Sequence, residues 1–200
     1  LEVPTVISRL TDEGGTVAEI RSGHEGEVEL ERTPFYPEGG GQVGDVGVII
    51  GNAGRAIVSG THWATGKGIS HRVTVEDGVL AAGDGVVARI DQERRKATQR
   101  NHTATHLLQA ALRSVLGAHV RQSGSLVAPE RLRFDFAHYE PLEENEIREV
   151  EDMVNARILD DLPVNISMEA FEKAKAKGAI ALFGEKYGEE VRMVEIQGAS

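Results

Sequence analysis

Two hundred residues, 40% apolar and 27% charged, describe one large or two small globular domains and exclude disordered or collagen-like chains. No run approaches the ~18 apolar residues of a membrane-spanning helix, the amino terminus lacks a signal-peptide layout, and Cys is absent; these features fit a cytoplasmic chain with no membrane partner and exclude thiolate nucleophiles and Cys metal ligands within it. A net charge of -10, from 22 Lys+Arg against 32 Asp+Glu, confines any RNA contact to local patches.

From residue 1 to about 91, short β-rich runs alternate with Gly and Asp. Strands are predicted at 27–30, 47–50, 56–58, 71–75 and 86–90, with turns at Gly14-Gly15, Asp77-Gly78 and Asp84-Gly85. This pattern predicts a small antiparallel β-barrel or sandwich. From Gln92 the texture becomes helical, with Ala104, Leu107, Leu108, Ala111, Leu112 and Leu116 at helical spacing and Gly117 as the stop. Strands follow at 119–127 and 131–137, turning at Ala128-Pro129-Glu130, then a helix over about 143–159, a strand at 164–168, a short helix at 169–177 ended by Gly178, and a strand at 191–196. The fold class expected is α+β: a barrel over 1–91, then an α+β core over 92–200. Leu rather than Met at position 1 suggests a piece of a longer polypeptide.

Three segments are able to carry chemistry. His102 and His106, four apart on the long helix, share a face at the spacing of a common zinc half-site, although a pair of polar helix residues explains the spacing equally well. Thr103 stands where a peptidase of the H-E-x-x-H type needs Glu, which disfavours peptide hydrolysis. Gly39-Gly40-Gly41, followed by Gln42, permits close approach of backbone to a phosphate or ribose, or is a flexible loop; it is no P-loop, since the Lys and Ser/Thr are missing. Gln122, in a polar cluster interrupting a strand, is either a site residue facing the His-bearing helix or a satisfied core hydrogen bonder. Arg131, Arg133, Arg100 and the cluster Arg94-Arg95-Lys96 are candidate phosphate contacts or a solvated face.

Phe35 to Gln42, Arg100 to Leu108 (RNHTATHLL), Gln122 to Val127 with Arg131 to Phe136, and Ala181 to Val194 form four ordered blocks. In these blocks the chain resembles the editing region of bacterial-type alanyl-tRNA synthetases and their free-standing relatives. The resemblance implies a β-barrel followed by an α+β core like that of threonyl-tRNA synthetase, and hydrolysis of Ser or Gly wrongly esterified to alanine tRNA. It implies zinc held by His102 and His106, with a Cys and a His from a second motif beyond Ser200. Thr105 matches the position that recognises the serine hydroxyl and Gln122 one needed for editing, with Gln42 beside them as a catalytic candidate. Gly39, Gly40, Gly41, Arg100 and Arg133 are the expected tRNA contacts. ATP would belong to an aminoacylation domain upstream, and the oligomerisation region would lie downstream. Two readings compete: a tRNA-binding or structural module made inactive by the missing second motif, and a free-standing trans-editing hydrolase.

Overall fold

A computed structural model describes residues 1–66, 68–176 and 189–196. Eight strands build the first part: β1 (Glu2–Asp12), β2 (Gly15–Val17), β3 (Glu19–Arg21), β4 (Glu25–Leu30), β5 (Gly47–Gly51), β6 (Gly54–Trp63), β7 (Ile69–Ala81) and β8 (Gly85–Ile90). Six of them pair antiparallel in the ring β1-β4-β7-β6-β5-β8, which closes because β8 returns to β1, Glu2 opposite Arg89. The expected barrel is therefore present, and closure leaves its six strands without an open edge. Alternation aims Val28, Ile49, Ala56, Val58, Val73, Val75, Ala88 and Ile90 into one apolar core, where each large side chain contributes about 1.5–3 kcal/mol on burial.

Three features of the barrel depart from the sequence expectation. β1 does not stand out as a strand because a register shift between Ile7 and Arg9 breaks its period of two, so the buried Ile7 and Leu10 lie three residues apart. β2 and β3 are only three residues each, too short to show a period. Asp77-Gly78 is no turn: β7 runs through it, with Gly78 at φ +69° opposite Gly54 and an irregular register against Arg55 and Ala56.

The remaining described elements are α1 (Gln92–Leu116), β9 (Gln122–Val127), β10 (Leu132–Phe136), α2 (Glu144–Leu159), β11 (Val164–Ala170), α3 (Phe171–Ala176) and β12 (Glu190–Ile196). Asp91 starts α1: its Oδ1 accepts the Arg94 N–H at 3.0 Å, and Gly117 at φ +112° ends the helix as the sequence predicts. Glu146 reaches back to the Glu143 N–H at 2.8 Å and opens α2. Ala111, Leu112, Val120 and Val150 form a second core with Phe134, Phe136 and Met153 packed on it. Glu169 and Ala170 belong to β11 rather than to the short helix, and the expected helix end at Gly178 lies outside the described residues, as do Ala181 to Gly188. The chain divides into two compact units, Leu1–Gln99 with Leu126–Arg131, and Arg100–Ser125 with the described part of Leu132–Ser200.

Candidate functional site

In the first unit the glycine-rich segment is an ordered finger. Gly39 and Gln42 exchange backbone hydrogen bonds at 3.1 and 3.0 Å, and the intervening Gly40 and Gly41 take φ +59° and +80°, the two positive values of a type I′ turn. Val43 N–H donates to the Val127 carbonyl and Val127 N–H to that of Gly41, so the side of the turn is stitched to β9. Gln42 is buried there, whereas Gly40 is exposed.

The base of the finger is held from two sides. On one, Asp45 is 8% exposed and takes two Arg95 Nε contacts at 2.8 and 3.0 Å, a further bond from Nη2, and the Tyr36 N–H at 2.7 Å. Arg95 Nη2 also donates to the Pro34 carbonyl at 3.0 Å. The Asp45 carboxylate keeps the Arg95 guanidinium above its ordinary pKa against the opposing effect of burial. On the other side, His71 is fully buried on β7, with Nδ1 2.7 Å from the Val28 carbonyl and Nε2 2.7 Å from Thr33 Oγ1. Thr33 Oγ1 also accepts the Phe35 N–H at 3.1 Å, and the Phe35 ring meets the imidazole edge-on at 5.1 Å.

Desolvation first, opposed by the Val28 bond, lowers the His71 pKa from the usual 6.5; His62 lowers it further and Glu29 raises it. The native state therefore takes up this proton later than the unfolded chain. Stability is unaffected well above about 6.5 and falls as pH drops through that value, by up to ~1.4 kcal/mol per pH unit, until the native imidazole also protonates. Urea melts between pH 7.5 and 5 will show this slope, and a His71→Asn variant that still folds will lose it; equal slopes in the two proteins would contradict the assignment.

In the second unit, α1 brings the His102 and His106 rings to 5.2 Å between centroids and 13° from parallel. Among the described residues no third His or carboxylate joins them in a metal-like cluster. Thr105, between them in sequence, is 7% exposed and donates its hydroxyl to the Asn101 carbonyl at 2.8 Å. Gln122 opens β9 partly buried, with Nε2 donating to Ser125 Oγ at 2.9 Å. Arg100 is exposed, and the single Arg133 Nε–H is shared between both Asp135 carboxylate oxygens at 3.1 Å. A groove of about 470 Å³ runs along Ala104, Leu108, Leu132, Val150 and Val154, and none of the candidate chemical residues lines it.

Several side chains have roles that the sequence did not disclose. Asp45, Thr33 and His71 hold the finger although none carried an assigned role. Of the basic cluster, Arg95 is used internally on Asp45, whereas Arg94 and Lys96 lie on a solvated face in exposed pairs with Glu130 at 3.0 Å and Glu93 at 3.3 Å. His62 Nε2 lies 3.3 Å from Glu27 Oε1, and His138 Nδ1 lies 2.9 Å from His119 Nε2.

Comparison of the sequence with known proteins gives its relatives. The profile of the family described as tRNA synthetases class II (A) matches residues 1–94, the barrel and the first residues of α1. The chain is 49% identical to alanine–tRNA ligase of Thermotoga maritima over 98% of its own length and 24% of that protein. It is 52% identical to alanine–tRNA ligase of Thermus thermophilus over 100% of its own length and 22% of the relative's, and 50% identical to that of Burkholderia vietnamiensis over 92% and 21%. The chain is thus a class II tRNA synthetase sequence, and it belongs to the alanine–tRNA ligase family. It spans less than a quarter of the length of these curated relatives. Among the described residues no helix is long and apolar enough to cross a membrane.

Proposed function

We propose that this chain is an editing segment of a cytoplasmic alanine–tRNA ligase, which hydrolyses the ester of Ser or Gly mischarged on alanine tRNA. The need is physical: a pocket shaped for alanine cannot strongly reject a smaller amino acid or one that only adds a hydroxyl, so a second hydrolytic site supplies the discrimination. The observation that carries the reading is the near-parallel His102–His106 pair on one face of α1.

Two imidazoles at this spacing fit two corners of a tetrahedral zinc site, the other ligands coming from outside the described residues. When bound, zinc would polarise the ester or its water, or anchor the substrate amine. Thr105 gives its proton to the Asn101 carbonyl, which leaves its oxygen to accept a hydrogen bond from a serine hydroxyl. Gln122 spends its amide nitrogen on Ser125, so its carbonyl oxygen is the group that would orient water. Gly39, Gly40 and Gly41, with the buried Gln42, receive the terminal adenosine. Arg100 and Arg133 contact phosphate, and Arg133 must exchange Asp135 for it.

With zinc supplied, the chain will release serine from Ser-charged alanine tRNA above the uncatalysed rate, and His102→Ala or His106→Ala will lower zinc retention and hydrolysis together by on the order of a hundred-fold. Unchanged metal content in both variants would remove the pair as ligands. Retained tRNA binding without hydrolysis would favour a tRNA-binding module instead.

A further inference from the structure

The His71–Thr33 contact has a direction that its partners determine. A backbone carbonyl only accepts, so Nδ1, 2.7 Å from the Val28 carbonyl, carries the ring proton. In the neutral, fully buried ring Nε2 is then the acceptor, and the Thr33 hydroxyl at 2.7 Å donates to it. The same Thr33 oxygen accepts the Phe35 N–H. The polarity runs without conflict from Phe35 N–H through Thr33 to His71 and on to Val28, and every member is bonded.

The relay ties a barrel residue to the irregular segment that leads from β4 into the finger. Thr33 lies 38 positions from His71 in sequence, yet it is the point at which the chain leaves the barrel for Phe35, Tyr36 and the glycine turn. Beyond it, the Tyr36 N–H donates to Asp45 and the Glu38 N–H to the Thr61 carbonyl at 2.8 Å, so an error at Thr33 is passed along a short segment that these bonds hold. Gly40 is exposed and Gly39 and Gly41 are half-buried, none with a side chain to pack, so the placement of the turn rests on this base together with its backbone bonds to Val127.

We infer that His71, acting through Thr33, is a positioning residue that presets the glycine-rich turn Gly39–Gln42 for its ligand. The ligand is the single-stranded 3′ end of tRNA, an identification that rests on the editing reading above; the positioning role does not.

The test separates the two. In the wild-type chain the His71 ring will show ¹⁵N shifts of a protonated Nδ1 and an acceptor Nε2; the opposite tautomer would overturn the relay. Thr33→Val keeps the side-chain shape and removes the hydroxyl. In that variant the amides of Gly39, Gln42 and Val43 will exchange with solvent about ten-fold faster, the scale of one net hydrogen bond, while amides of β5 and β6 keep their protection. Thr33→Ser, which restores the hydroxyl, will restore slow exchange. Unchanged exchange in Thr33→Val, a uniform loss across the barrel, or no rescue by Thr33→Ser would each overturn the proposal. A stem-loop RNA with a single-stranded CCA-3′ end supplies the second reading: about five-fold weaker binding to Thr33→Val, rescued by Thr33→Ser, supports the turn as its receptor. Faster exchange with unchanged RNA affinity would uphold the positioning role and overturn the turn as the RNA contact.

Discussion

Asp45→Ala will destabilise the barrel unit by about 3 kcal/mol, read as a lower urea midpoint at pH 7. The carboxylate is nearly buried and serves the Arg95 guanidinium and the Tyr36 N–H at once. Truncation leaves a partly buried cation without its counter-ion and a backbone donor without an acceptor. Removing one member of a buried, hydrogen-bonded ion pair costs ~3–5 kcal/mol, and the low end applies because the Arg95 side chain keeps 21% of its exposure. Asp45→Asn retains an oxygen for one donor and will lose less. A loss below about 1 kcal/mol for Asp45→Ala would show that water replaces the carboxylate without penalty, as it does for exposed pairs.

Gly44→Ala will be at least as damaging, for a steric reason. A Cβ at residue 44 would stand 2.1 Å from the Thr61 carbonyl oxygen and 2.9 Å from the Thr61 nitrogen. Both are backbone atoms of β6, so no rotamer change relieves the overlap; the finger must move away from the barrel. That movement strains two bonds in which Thr61 takes part, the Glu38 N–H to its carbonyl at 2.8 Å and its own hydroxyl to the Asp45 carbonyl at 2.8 Å. Overpacking against backbone together with two weakened hydrogen bonds costs ~3 kcal/mol or more. Gly60→Ala is the control: its Cβ would meet nothing within 4 Å, and its effect will stay within ~0.5 kcal/mol. Equal thermal midpoints for the two variants would refute the steric argument.

What the sequence disclosed was what is local. The long helix was legible because Leu107, Leu108, Ala111 and Leu112 recur within a few residues and Gly117 ends the pattern; the structure has α1 over Gln92–Leu116. The His102–His106 juxtaposition was legible for the same reason, since four residues of helix fix it. Hidden were the partners brought together by closing the barrel: Thr33 with His71 across 38 positions and Asp45 with Arg95 across 50. Arg95 looked like one cation among several because charge alone does not reveal a carboxylate that arrives from a distant loop. One hidden feature did leave a trace. His71 alternates with Val73 and Val75, and a histidine on the apolar face of a strand must be buried and must find partners. β1 stayed hidden because a bulge breaks the very period by which strands are recognised.

The seam between β1 and β8 also sets a timetable. Val3 pairs with Ala88 and Thr5 with Val86, so the first strand of the ring to be synthesised has as its neighbour the last strand of the ring. At ~5–20 residues per second, β1 waits on the order of 4–17 s before β8 is available. Until then the far edge of β1 is an unpaired template, and a neighbouring nascent chain that offered its own β8 would satisfy the same register. Ring closure of this kind is slow to form compared with helical folding, because the entropy of a loop of roughly 80 residues is spent before the final pairing returns it. Crowded synthesis is therefore a condition under which copies of this barrel would exchange strands.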